Sequence, residues 1–399
     1  MKAILNNIKG DKTIWIVVFI LSIFSILAVY SSTGTLAYKY QSGNTEYYFI
    51  KHTGILLLGF GLMFLAHKIP YKYYARISQL GIYISVPLLA YTLLFGTNLN
   101  EASRWYTLPL INITFQPSDF AKLALIIFVA RLLAKKQDDV EDFRKGFISI
   151  MIPVVIITLL ILPANFSTAA LIFTTCLVLM FVGRVKFKYL LILVGVGVVS
   201  FILLIALAIN TPKLNGRIGT WQTRIESYTS GDSDANYQVE QAKIAIATGG
   251  LLGKMPGNST QKNFLPHPYS DFIYAIIIEE YGIIGGIIVV LLYLILLFRA
   301  IKIVIKSPRN FAAFLTFGVA FSLVFQGMVN MMVAVNLLPV TGQTLPLISM
   351  GGTSIWFTSI AIGIILSVSR EIEESENAEK EAKENKESKE PKTPEHAIA

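Results

Sequence analysis

The chain is short of almost everything a water-soluble enzyme displays. Its one cysteine, Cys176, lies inside an apolar run, which excludes a disulfide framework and a cysteine-based zinc site. The four histidines, His52, His67, His267 and His396, are scattered, so no helix carries a pair at metal-ligand spacing. Charged residues make up 15% of the 399 residues, against about 25% in an ordinary soluble domain. That scarcity argues against both a soluble globular protein and a disordered one. A formal charge of +9 could suggest a nucleic-acid ligand. In a chain that is 54% hydrophobic, however, basic residues are read more economically as cytoplasmic flanks of membrane spans, and no nucleic-acid partner is expected.

Long apolar runs are what the chain has in abundance. A helix needs about 20 mainly apolar residues to cross a bilayer. About ten runs meet or approach that length: Ile14–Tyr30, Phe49–Ala66, Ile77–Phe95, Phe120–Leu133, Phe147–Pro163, Ser167–Gly183, Tyr189–Ile209, Phe272–Phe298, Phe311–Ala334 and Ile355–Val368. The short fourth and tenth runs have earlier natural starts near Pro117 and Ser349. Met1–Tyr30 has the basic-then-apolar order of a signal peptide but no clear small-residue cleavage site, and is kept as the first span. The predicted fold class is an all-α polytopic integral membrane protein, with 1–12 as a cytoplasmic N-terminus and 13–369 as the membrane domain.

Lys2, Lys9 and Lys12 precede the first span, and Lys68, Lys72 and Arg76 follow the second. Basic clusters also follow the fourth, sixth and eighth, whereas the alternate connections are poor in Lys and Arg. The positive-inside rule then puts both termini in the cytoplasm. Residues 210–270, between the seventh and eighth spans, form one large outer connection. It is too long for a structureless link in a compact protein. Within it Tyr237–Thr248 could be a short interfacial helix, followed by a turn at Gly249, Gly250, Gly253 and Gly257. Residues 370–399 are rich in Glu and Lys, and predict a cytoplasmic tail that is either disordered or a frayed helix.

Ionisable groups in or beside apolar spans are costly, so each is a functional candidate. Asp271 stands at the outer start of the eighth span, where it could be a general base or a helix N-cap. Glu279 and Glu280 follow about 12 Å deeper by helical rise and must face protein. Asp119 and Lys122 open the fourth span three residues apart, which fits an ion pair or an anion site. Arg104-Trp105 occupy the preceding outer loop. Arg217, Arg224, Lys243, Lys254 and Lys262 make the large outer loop basic, and arginine fits phosphate oxygens with paired hydrogen bonds. A nucleotide loop is excluded there, because the glycines lie outside and no Gly-Lys-Ser/Thr follows them. Pro339-Val-Thr-Gly-Gln-Thr-Leu-Pro346 and Ser349-Met-Gly-Gly-Thr-Ser354 imply irregular backbone at the membrane edge, which only protein or a polar cavity can cover.

In four blocks the chain resembles the SEDS family of FtsW, RodA and SpoVE, over Trp15 to about Arg370. The first is Arg104-Trp105 with Gln116-Pro-Ser-Asp-Phe-Ala-Lys-Leu. The second is Tyr237-Gln238, Ala245-Ile-Ala-Thr-Gly-Gly250 and Gly257-Asn-Ser-Thr-Gln261. Phe264-Leu-Pro, Ser270-Asp-Phe-Ile and Glu279-Glu-Tyr-Gly282 form the third, and Asn330, Leu338-Pro-Val-Thr-Gly342, Leu345-Pro346 and Gly351-Gly-Thr-Ser354 the last. His267-Pro-Tyr-Ser270 departs from the family's Glu-Ala-His-Thr, and Asp119 shortens its Glu. Asn44-Thr-Glu-Tyr-Tyr and Ser349-Met-Gly-Gly-Thr look more like the division branch, FtsW, of Bacteroidetes-type bacteria.

The resemblance implies an inverting peptidoglycan glycosyltransferase that polymerises lipid II at the outer face of the bacterial inner membrane. By carry-over Asp271 is the catalytic base. Arg104, Trp105, Asp119, Lys122, Arg217, Gln238, Lys243, Ser259, Glu280, Asn330, Thr341 and Ser349 are the implied substrate-binding residues. No carboxylate cluster identifies a protein metal site, although a divalent cation such as Mg or Mn could share the pyrophosphate charge. The implied partners are lipid II, the undecaprenyl-diphosphate-linked glycan, membrane lipid, a class B penicillin-binding protein transpeptidase and other division proteins. The competing reading is a lipid II flippase or related lipid-linked transporter, which acids such as Glu279 and Glu280 would suit.

Overall fold

The computed structural model describes residues 9–99, 102–107, 114–210 and 234–387. Each apolar run forms a helix: α1 Lys12–Ser32, α3 Thr45–Lys68, α4 Tyr71–Phe95, α5 Pro117–Lys135, α6 Ser149–Ile161, α7 Phe166–Val182, α8 Phe187–Asn210, α10 Ile273–Lys306, α11 Asn310–Ala334 and α12 Thr353–Glu387. The short α2, Gly34–Tyr40, follows α1, and α9, Asp234–Gly249, lies in the large loop. Among the described residues seven helices are long and apolar enough to cross a membrane, counting α6 with the π-helical turn that precedes it; α7 and the described part of α8 are shorter apolar helices. The protein is a multi-pass helical bundle.

The helix ends follow from local chemistry. Asp11 caps α1 by accepting the Thr13 and Ile14 amides, Asn44 caps α3 through Tyr47, and Asn165 caps α7 through Thr168. Pro117 starts α5, as expected, with Gln116 at the cap position. The all-α expectation gains one exception, a three-stranded antiparallel sheet in the loop before α5: β1 Thr97–Leu99, β2 Ala102–Thr107 and β3 Thr114–Phe115. Its register slips between Thr97 and Asn98, where Trp105 and then Ser103 are the partners, leaving Arg104 as the extra residue of a bulge.

Two features depart further from expectation. The eighth span is broken. Gly282 sits at φ 71° inside α10, so a short helix from Ile273 ends there and a longer one begins. The loop after α9 fills the break. The Ile283 amide donates to the Gly250 carbonyl at 2.9 Å, and the Lys254 amide donates to the Glu279 carbonyl at 2.9 Å. A side chain on Gly282 would strike the Leu251 carbonyl, and one on Gly253 would strike that of Glu280. These glycines permit the backbone contact that re-satisfies groups a continuous helix would have paired.

Of the two forms expected for the tail, residues 370–387 take the helical one and continue α12; residues 388–399 lie outside the described residues. The reason is local pairing. The Glu371 carboxylate accepts the Tyr71 amide at 3.2 Å, and Glu373 accepts the Gly10 amide at 2.6 Å. Lys9 meets Glu374 and Lys306 meets Glu376, each at 3.0 Å. Extending an existing helix avoids the nucleation cost, so a polar Glu/Lys sequence without a core can remain helical. These bonds also bring Lys9 and Gly10 onto the same face of the bundle as the end of α12.

Candidate active site

Asp271 lies one residue before Phe272, the N-cap of α10, and is half-buried. It is held by what surrounds it. Ser270 Oγ donates to Asp271 Oδ1 at 2.9 Å, and Asn330 Nδ2, from α11, donates to the Asp271 carbonyl at 2.9 Å. Asn330 Nδ2 also donates to the Gln343 carbonyl at 2.6 Å, joining Asp271 to the irregular segment between α11 and α12. Gly342, at φ 63°, turns that segment against the carboxylate; a Cβ there would lie 3.6 Å from Asp271 Oδ2. Behind the site Ala242 and Ala245 of α9 pack with Leu265, Phe272, Ala275, Ile276 and Val333.

The 335–352 segment is the hub of the site. Ser349 Oγ accepts the Leu345 amide at 2.8 Å and donates to the Ser270 carbonyl at 2.7 Å. The Met350 amide donates to the Tyr269 carbonyl at 2.9 Å. Gln343 Nε2 reaches Thr168 Oγ1 of α7 at 2.9 Å, and Tyr293 of α10 donates to the Pro346 carbonyl. Non-helical backbone is thus paired by side chains from several helices, which is how such backbone is tolerated at membrane depth. On the other flank Lys122 Nζ donates to Gln326 Oε1 at 2.7 Å, and Gln326 Nε2 donates to the Thr344 carbonyl at 2.9 Å. Asp119 is buried beside Lys122, with the Ser354 hydroxyl bonded to it. Burial raises the Tyr269 phenol above its ordinary pKa, and Tyr40, Tyr48 and Asp271 push the same way, so these groups share one neighbourhood.

Asp271, Asn330, Ser349 and Thr341, beside Gly342, therefore converge on one segment, with Asp119 and Lys122 at its other flank. Gln238 is half-buried and Lys243 exposed on α9, whose opposite face packs behind Asp271. Arg104 and Trp105 lie on β2, described there as backbone. Arg217 and Arg224 lie outside the described residues.

Ser259 and Glu280 do not line the Asp271 site; they belong to an internal clamp. The Glu279 carboxylate pairs with Lys254 Nζ at 2.7 Å, accepts Thr260 N and Oγ1 at 3.1 and 2.9 Å, and accepts the Ser259 hydroxyl. Glu280 accepts the Ser31 hydroxyl and the Ser259 amide, the latter at 3.4 Å. Both carboxylates are almost fully buried. An acid in an apolar span is costly in either role, so that signal does not separate a ligand site from an anchor for the large loop.

Gln326 and Gln343 were missed. Each is a polar residue buried beside apolar helix surface, the one signal that could have found them. Among the described residues no group of three or more His, Cys, Asp or Glu side chains could hold a metal ion.

The comparisons with known proteins agree with this architecture. The family model for "Cell cycle protein", covering FtsW, RodA and SpoVE, matches residues 11–374. The chain is 33% identical over 372 residues to the "Probable peptidoglycan glycosyltransferase FtsW" of Geobacter sulfurreducens, covering 92% of this chain and 96% of that one. It is 32% identical to Stage V sporulation protein E of Bacillus subtilis, covering 90% and 97%. A solved chain described under structural coordination of polymerization and crosslinking by a peptidoglycan synthase complex superposes with a TM-score of 0.69 and 25% identity, over 91% of this chain and 98% of that one. The rod shape determining protein RodA of Thermus thermophilus shares the fold, with a TM-score of 0.65 and 23% identity over 90% and 97%. With the whole bundle matched in sequence and in fold, this chain belongs to the FtsW/RodA/SpoVE family of cell cycle proteins.

Proposed function

We propose that this protein is a peptidoglycan glycosyltransferase that polymerises lipid II in cell division. One observation carries the reading: a half-buried carboxylate, Asp271, is set at the end of the bundle by Ser270, Asn330 and the 335–352 segment. The Geobacter sulfurreducens relative named above as a probable peptidoglycan glycosyltransferase is matched over 96% of its length.

In the proposed reaction the Asp271 carboxylate takes the proton from the 4-hydroxyl of the acceptor GlcNAc. The freed oxygen attacks the anomeric carbon of the donor MurNAc as the bond to the pyrophosphate oxygen breaks. Undecaprenyl pyrophosphate departs with the bonding electrons, and the new glycosidic bond has inverted configuration. A base must lie within hydrogen-bond reach of the hydroxyl, and positive charge must meet the leaving group. Arg104, Arg217, Lys122 and Lys243 are the candidate cations. The site faces outward and both termini lie in the cytoplasm on this reading, supported by the basic loops on one side and by the pairing of Lys9 and Gly10 with α12. The superposed chain from a peptidoglycan synthase complex supports a transpeptidase partner.

Transport drew its support from Glu279 and Glu280. Their bonds to residues 254–260 and to Ser31 account for both acids as loop anchors, so no specific observation now favours that reading. The deciding experiment incubates purified protein, with its transpeptidase partner, in detergent with lipid II. Wild type should yield glycan strands, and Asp271→Asn should remain folded and yield none. Full activity in the variant removes the assigned base; lipid movement in vesicles with no strands from wild type removes the polymerase reading.

A further inference from the structure

We propose that Ser25 and His52 are positioning residues for the Asp271 carboxylate, acting through the segment that joins α11 to α12; this rests on the reading of Asp271 as the base. Ser25 of α1 and His52 of α3 are both almost fully buried. Burying a hydroxyl and an imidazole is costly unless both are hydrogen-bonded, and here they bond to each other and to one backbone carbonyl. Ser25 Oγ lies 2.7 Å from His52 Nε2 and 2.8 Å from the Ile348 carbonyl. A carbonyl only accepts, so the serine gives its single proton to Ile348. It must then accept from His52, which puts the imidazole proton on Nε2. His52 Nδ1 has no partner among the described residues, which leaves the ring as the neutral Nε2–H tautomer.

The carbonyl so held lies at a demanding point. Leu347, just before it, is at φ 66°, a conformation that a branched residue keeps only when its surroundings hold it there. Ser349, just after it, donates to the Ser270 carbonyl at 2.7 Å, and the Met350 amide donates to the Tyr269 carbonyl at 2.9 Å. Ser270 Oγ in turn donates to Asp271 Oδ1. The path from His52 to the carboxylate therefore runs through four hydrogen bonds joined by short stretches of backbone. It cannot relay a proton, because carbonyls interrupt it. What it can do is fix the distance between base and acceptor hydroxyl, and small displacements of a reacting group are expensive in rate.

The test uses purified full-length protein with its transpeptidase partner, lipid II as substrate, and hydrogen exchange of the same samples. Ser25→Ala and His52→Phe should lower kcat about tenfold while KM for lipid II stays within about twofold. Ser25→Thr and His52→Gln, which keep the hydroxyl and the donor, should restore kcat to within about twofold of wild type. Exchange at the Leu345, Ser349 and Met350 amides should speed up in the first pair and not in the second. The proposal is overturned if Ser25→Ala keeps wild-type kcat, if the conservative variants fail to rescue, or if neither Ser25→Ala nor His52→Phe folds, which would make the pair structural. Should wild type make no glycan, the polymerase reading fails, whereas the exchange data still decide whether the pair orders the segment.

Discussion

The two neighbouring acids of α10 differ in what they hold, and their variants should differ accordingly. Glu279 carries an ion pair with Lys254 and bonds from Ser259, Thr260 and the Gln261 amide. Hydrogen bonds to a buried charge contribute about 1.5–3 kcal/mol each, so Glu279→Gln should clearly lower the thermal midpoint in detergent. Glu280 has fewer partners, and its Oε2 has none among the described residues. Glu280→Gln should therefore shift the midpoint less. An equal or larger shift for Glu280→Gln would contradict the clamp. Asp271 stood out by its place at the start of a span, but position alone left a base and a helix N-cap open, and the cap position belongs to Phe272. Glu279 was ambiguous because a buried carboxylate looks the same in sequence whether it meets substrate or a loop backbone 20 residues away. For Lys122 the spacing from Asp119 left an ion pair and an anion site both open, and its bond to Gln326 depends on helix pairing that no local pattern encodes.

At the scale of elements, the break at Gly282 gives a paired test. Gly282→Ala would set a Cβ against the Leu251 carbonyl in a left-handed conformation, whereas Gly250, also left-handed at φ 56°, has open space around its Cβ position. Gly250→Ala should cost about 1 kcal/mol and leave folded protein. Gly282→Ala should abolish folded protein on size-exclusion chromatography, and equal behaviour of the two would refute the close approach. The tail offers a second contrast. Its Lys–Glu pairs are half-exposed and worth little, while Glu371 and Glu373 accept backbone amides of Tyr71 and Gly10. Deleting 371–399 should therefore speed hydrogen exchange at those two amides, and raising the salt concentration should not reproduce the effect. Element existence was readable because about ten long apolar runs leave little alternative to helix. The broken span was hidden, since Gly282 inside an apolar run reads as an ordinary helical glycine until a second backbone is brought against it. For the tail the sequence left disorder and helix both open, because the partners that decide lie 300 and 363 residues away.

For the molecule as a whole, topology is open to a direct check. Cys176 is the only cysteine in the sequence and is buried, so added cysteines can be labelled against a silent background. Lys39→Cys and Lys243→Cys should react with an impermeant maleimide in intact spheroplasts. Lys72→Cys and Lys186→Cys should react only after permeabilisation, and the reverse pattern would invert the orientation. The interruption in α10 has a mechanical consequence as well. The outer stub that leads from Asp271 is fastened to the Gly250–Lys254 backbone instead of continuing the inner rod. Tilt forced on the rod by a thicker or thinner bilayer should then be absorbed at this joint before it reaches Asp271. Turnover per enzyme should stay nearly level as lipid chain length is varied in reconstituted vesicles, even while the rod leans.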